Sequence, residues 1–180
     1  MGERVRIREA APEDAAALAA MRFEFRASLR EPTESRARFV KRCVRWMEQR
    51  LRRRTWRCWV AERGDGLVGH LWLAPIEKVP NPVDEPERHA YVTNVYVVPG
   101  ARGSGIGERL LAWAMAWCRI NGVDTVLLWP TTRSRTLYAR HGFRGPGPLM
   151  SASLAPEFAF SAARPRGPRR PRSSRRGTSR

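Results

Sequence analysis

Apolar and polar residues alternate over Val5-Arg6-Ile7-Arg8, which predicts a short first strand. Pro12-Glu13-Asp14 suits the first turn of a helix, and the alanine-rich run beyond it predicts that helix to about Leu29. After Pro32 and Thr33, apolar residues at Phe39, Val40, Cys43, Val44, Met47 and Leu51 recur at helical spacing and mark a second helix. Its other face carries Arg38, Lys41, Arg42, Arg45 and Arg52, a stripe read as solvated, with an acceptor or nucleic-acid contact as the alternative. Trp56 to Glu62 and Leu67 to Leu73 predict a hairpin joined through Gly64-Asp65-Gly66. Four prolines between Pro75 and Glu87 predict a loop, and Tyr91 to Val98 a central strand. Ile106, Leu110, Trp113, Ala114, Trp117 and Cys118 then line one side of a helix that Asn121-Gly122 can end. Thr125 to Trp129 predicts a buried strand, Ser134 the cap of a short helix through Arg140, and Leu149 to Leu154 a last strand. Trp113, Trp117 and Trp129 are expected in the core.

Chemistry enters at the junction after the central strand. The strand breaks at Pro99, passes through Arg102-Gly103-Ser104-Gly105-Ile106-Gly107, and enters the helical pattern. That order collects open backbone N–H groups at the positive end of a helix, which suits a phosphate or diphosphate. Glycines at 103, 105 and 107 alone also fit a tight turn without a ligand. A dinucleotide-binding turn fits poorly, because the motif lies mid-chain after an apparent antiparallel hairpin. A Walker A loop is excluded, since no Gly-Lys-Ser/Thr follows.

Placed after Val97-Val98-Pro99, the Arg102-to-Gly107 run resembles the Arg/Gln-x-x-Gly-x-Gly/Ala signature of the GNAT superfamily of acetyl-CoA-dependent N-acetyltransferases. Ser134-Arg135-Thr136-Leu137-Tyr138-Ala139-Arg140-His141-Gly142-Phe143 resembles the family's helix-to-strand block, with its Leu-Tyr and Gly-Phe pairs. The resemblance covers roughly the first 155 residues. It implies an α/β (α+β) fold with a mixed central sheet of about six to seven strands flanked by about four helices. The GNAT domain would span 1–160 and a disordered Arg/Pro/Ser-rich tail 161–180.

The resemblance also implies the site. Backbone N–H groups of Arg102, Gly103, Ser104, Gly105, Ile106 and Gly107 would hold the diphosphate of acetyl-CoA, with Arg102 adding charge or bracing the loop. Val95 matches the position whose N–H contacts the acetyl carbonyl, and Val97 a position that pairs with pantetheine. Tyr138 matches the family's general acid; read without the family, it is a buried aromatic on a short helix. Many members carry a glutamate where this chain has Tyr91, so deprotonation of the amine falls to a water relay or to Glu24, Glu77 or His89. The acceptor would lie over Phe23-Glu24-Phe25-Arg26 and the proline-rich loop. Small molecules, peptides and protein termini are all open as acceptors, as is a sensor that binds acyl-CoA without turnover. Oligomeric state is open between a monomer and a homodimer.

Composition adds bounds. A chain of 180 residues with 42% hydrophobic content has enough apolar side chains for one core. Three cysteines without paired spacing indicate neither a disulfide framework nor a metal site, and no apolar run approaches a membrane span, so a cytoplasmic protein is expected. The formal charge of +17 is uneven: eight arginines and no acid fall in residues 161–180, leaving +9 for the remainder. That tail either contacts nucleic acid or an acidic partner or is a neutral extension. His70, His89 and His141 are expected in structural or surface roles.

Overall fold

A computed structural model describes residues 4–80, 82 and 88–154. Six strands form one sheet in sequence order: β1 (Arg6–Glu9), β2 (Arg57–Arg63), β3 (Gly66–Ile76), β4 (His89–Val97), β5 (Thr125–Leu128) and β6 (Met150–Ser153). β1 to β4 are an antiparallel meander, β4 and β5 run parallel, and β6 returns antiparallel to β5. Four α-helices accompany them: α1 (Ala15–Ala27), α2 (Arg36–Arg53), α3 (Ile106–Ile120) and α4 (Arg135–Arg140). The expected mixed sheet with about four helices is what forms. The tail 161–180 and most of the loop beyond Pro80 lie outside the described residues.

The helix ends follow local chemistry. The Ser35 hydroxyl accepts the Arg38 N–H at 3.4 Å to open α2, and Arg50, Arg52 and Arg53 occupy the last turn, where cations suit the helix dipole. Pro12–Asp14 forms a 3-10 turn ahead of α1 rather than part of it. There Asp14 accepts from the Ala11 N–H at 2.8 Å and from both guanidinium ends of Arg8 at 2.7 and 2.9 Å. The Arg8 guanidinium holds the Asp14 carboxyl below its usual range.

Two cores lie on opposite faces of the sheet. Leu71, Leu73, Val92 and Val126 meet Ile106, Leu110, Leu111, Ala114 and Met115 of α3 on one face. On the other, Val60 and Trp72 meet Leu18 of α1 and Met47 and Leu51 of α2. Strand alternation sends neighbours such as Leu71 and Trp72 to different cores.

Two expectations are corrected. β3 continues through Pro75 and Ile76, inside the stretch expected to be loop, and pairs there with Ala90 and His89. β2 has stopped pairing at Leu73, so a residue without an N–H costs no ladder bond on that side. Two of the three tryptophans expected in the core face outward: Trp113 is 51% and Trp129 58% exposed. The buried stripe of α3 runs 106, 110, 111, 114, 115, 118, which rotates Trp113 outward. Trp117 is part-buried, edge-on to Trp59 at 6.3 Å with the Arg57 guanidinium over it at 5.2 Å.

Candidate active site

The central strand is broken at one point. His70 pairs with Tyr96 and Trp72 with Thr93, so β4 carries one extra residue against β3, and Asn94 takes the left-handed φ of 51°. β4 pairs with β5 only from His89 to Tyr91. Beyond Tyr91 the two parallel strands therefore part, and Val95 has no partner residue on either neighbour. The Val98 N–H bonds the Val68 carbonyl on β3 at 3.0 Å. Alternation then turns the N–H and C=O of Val97 to the opposite edge, into the gap between β4 and β5.

The gap leads to the glycine-rich turn. Arg102 N–H bonds Pro99, and the first backbone donor of α3 to find an acceptor is Arg109, to Gly105. Among the described residues, the six consecutive N–H groups from Gly103 to Glu108 have no protein acceptor. Gly103 and Gly105 hold φ of 78° and 75°, angles that L side chains rarely adopt. A Cβ at either would meet nothing within 4 Å, so backbone angle rather than protein packing requires glycine there. Gly107 differs: its Cβ would make an ordinary 3.6 Å contact with Leu137, and only a ligand close to the backbone would require its absence.

The surrounding side chains fix this turn. Arg102 donates from Nε to the Val97 carbonyl at 2.9 Å and lies over the Tyr96 ring at 5.7 Å, so it braces the loop against β4. That bond occupies an oxygen facing the gap. Ser104 Oγ donates to the Ala101 carbonyl at 2.6 Å. Ile106 is 2% exposed and packs where Gly69 leaves room on β3; a Cβ at Gly69 would sit 3.3 Å from it and 3.1 Å from the Tyr96 oxygen. Glu108 faces the end of α4, 3.7 Å from His141 and 3.8 Å from Arg140.

α4 lies beside this turn through the Leu137–Gly107 approach and carries Tyr138. Tyr138 is 5% exposed and stands edge-on to Phe143 at 5.8 Å. Burial pushes its hydroxyl up to about 12, so it is protonated at neutral pH. Ser134 opens α4 but turns its hydroxyl back to Thr131.

A second concavity, of about 360 Å³, opens on the other side of β4 between α1, α2 and the sheet. Its walls include Phe39, Trp46, Trp56 and Trp72, and its β4 edge is Tyr91, Thr93 and Asn94. Trp46 meets Trp56 edge-on at 5.1 Å and Trp72 at a tilt at 5.8 Å. Arg22 of α1 reaches in and donates to Asn94 Oδ1 at 2.9 Å. Tyr91 donates to Thr93 Oγ1 at 3.0 Å and meets Trp129 edge-on at 5.2 Å. Beneath the bulge, His70 is fully buried, and burial drives it down to about 3, so the ring is neutral.

The structure thus brings the Arg102–Gly107 run, Val95 and Val97 to one gap, with Tyr138 on the helix beside it. It does not bring the expected base candidates to the pocket. Glu24 is exposed and paired with Arg36 at 3.1 Å, Glu77 is exposed past β3, and His89 sits 3.5 Å from Asp124 at the far end of β4. Residues 23–26, expected on the acceptor side, do not line the pocket directly: Phe23 packs on its Phe39 wall, and Phe25 on Tyr96. Sequence reasoning missed Arg22, Trp46, Trp56 and Trp72 as one wall, because no local pattern joins them. No group of three His, Cys, Asp or Glu among the described residues is placed to hold a metal, and no described helix is long and apolar enough to cross a membrane.

A mixed sheet whose central parallel strands part beside an amide-lined helix start defines an α+β class of fold with a frame open to an anionic ligand. Residues 18–143 match the acetyltransferase (GNAT) family, and the chain belongs to it. Solved structures agree in fold. A predicted acetyltransferase from Clostridium acetobutylicum, crystallised with acetyl-CoA, is 22% identical over 79% of this chain and 91% of that one, with a TM-score of 0.68. A GCN5-related N-acetyltransferase from Ralstonia eutropha is 24% identical over 79% and 94%, with a TM-score of 0.63. A ribosomal-protein-alanine N-acetyltransferase from Brucella melitensis is 24% identical over 83% and 99%, with a TM-score of 0.66. No curated protein matches the chain in sequence.

Proposed function

We propose that this acetyltransferase moves an acetyl group from acetyl-CoA directly to a primary amine, with 1–160 as the catalytic domain and the cytoplasm as its compartment. The observation that carries the reading is the run of six unsatisfied N–H groups at the mouth of the strand gap. Such a nest suits an anion, and the diphosphate of CoA fits it, held by the amides of Gly103, Ser104, Gly105, Ile106 and Gly107 with Arg102 bracing the turn. Val95, freed from both ladders, supplies an N–H to the thioester oxygen, where charge develops during attack. Val97 offers its N–H to the pantetheine arm, while its carbonyl already serves Arg102.

The amine nitrogen attacks the thioester carbon, so a C–N bond forms as the C–S bond breaks. The nitrogen's proton leaves to water, and Tyr138 gives its proton to the departing sulfur and recovers one from solvent. Its raised pKa keeps that proton available. Calorimetric titration with acetyl-CoA, followed by CoA-thiol release across an amine panel, tests the reading. Binding with turnover is expected; absence of acetyl-CoA binding overturns it, and binding without turnover leaves a sensor.

A further inference from the structure

We infer that the aromatic pocket is the acceptor subsite and that it takes a compact aromatic α-amino acid, the carboxylate on Arg22 and the ring among Phe39, Trp46 and Trp56. This rests on the acetyl-transfer reading above. Three observations converge on it.

The first is charge. Arg22 is half-buried, and its one hydrogen bond among the described residues goes to the neutral Asn94 amide; no described carboxylate lies within ion-pair distance. Burial lowers its pKa from the ordinary value, the sign of a cation held out of water without a counter-ion. Its Nη2 and Nε donors have no described acceptor, and a carboxylate matches that fork. The pocket's described lining holds no acid, and Arg42 at its rim is already paired with Glu34. A polyamine would meet the Arg22 cation and no described lining carboxylate.

The second is shape and surface. The volume of about 360 Å³ equals roughly a dozen waters, suited to a single-ring amino acid. The part-buried Phe39, Trp46 and Trp56 offer apolar surface that a ring can cover, with the buried Trp72 packed against the two indoles. Trp72, on the same wall, buries an indole N–H with no acceptor.

The third is position. Asn94, which anchors Arg22, immediately precedes Val95. A carboxylate on Arg22 therefore sets the adjacent α-amine at the edge of the gap where the thioester carbonyl is placed. The amine nitrogen then forms its bond to that carbon as described above, and the carboxylate is unchanged by the reaction.

The test is calorimetric titration of the full-length protein with L-phenylalanine, phenethylamine and spermidine, beside a separate titration with acetyl-CoA. L-phenylalanine should bind at least about tenfold more tightly than phenethylamine, and spermidine more weakly than either. Arg22→Gln should bring the first ratio close to one, and Arg22→Lys should keep part of it. Equal affinity for phenylalanine and phenethylamine in the unmodified protein, or a preference for spermidine, overturns the inference whether or not the variants fold. A protein that binds acetyl-CoA and acetylates spermidine loses this inference and keeps the proposed function. One that binds phenylalanine with the stated preference but not acetyl-CoA keeps the subsite and loses the function.

Discussion

The two sides of β4 are built from different materials. The gap side is backbone: consecutive amides from Gly103 to Glu108, two glycines in left-handed φ, and a strand edge released by a bulge. The pocket side is side chain: an arginine from α1, aromatics from α2, β3 and the start of β2, and polar groups from β4. A backbone site is specified by a few contiguous residues and serves a ligand that never changes. A side-chain site is assembled from distant residues and can be re-cut for a new acceptor without disturbing the other.

Acid should break the two sides unequally, and this is the largest expected effect. His70 lies under the bulge, neutral and fully buried. Its folded pKa is depressed, from about 6.5 to about 3, so its stability contribution is present above pH 6.5 and is lost as pH falls toward 3. The full span amounts to at most about 5 kcal/mol. Chemical denaturation from pH 7 to 4 should show stability falling, and His70→Phe should flatten that slope. An unchanged slope in the variant would move the acid sensitivity elsewhere, with the Arg8–Asp14 pair as the next site.

Gly105→Glu attacks the gap side alone. A side chain at φ 75° costs about 1–2 kcal/mol, and a carboxylate beside the anion cradle adds repulsion. Acetyl-CoA affinity should fall roughly a hundredfold, read by calorimetry, while phenylalanine binding on the other side keeps its preference over phenethylamine. Loss of both together would mean that the two sides are not separable.

Tyr138→Phe should lower kcat about a hundredfold with little change in acetyl-CoA affinity, since it removes one proton donor and leaves the ring's packing on Phe143. A wild-type kcat in this variant would return Tyr138 to a purely structural role.

Arg102→Ala is the smallest effect and the sharpest on detail. Loss of the bond to the Val97 carbonyl loosens the turn, and acetyl-CoA affinity should fall about fivefold, or about 1 kcal/mol. Tighter binding instead would mean that Arg102 withholds an oxygen that the pantetheine arm uses.

The difference between the sides also governs what could be read without coordinates. The cradle was legible because its physics is local: Gly103 and Gly105 are required by backbone angle within one turn, and proline, glycine and the helical pattern around them are contiguous. The positions of the six strands along the chain followed from alternation and turn residues for the same reason. Where reading failed, the deciding contact was remote. Pro75 sits in β3 because β2 has already ended beside it. Trp113 faces water because the sheet meets α3 one residue to its side. Arg22, Trp46, Trp56 and Trp72 form one wall only because α1 and α2 fold over the same face.

The sequence by itself determined the family, the glycine-rich turn at the start of α3 and the strand that leads to it, since each rests on residues close along the chain. Only the tertiary structure decided where β4 and β5 part, which described carboxylates stay away from the pocket, and that a half-buried arginine there pairs with none of them. Those are facts about non-local packing, set by how helices and strands distant in sequence share the surface of one sheet.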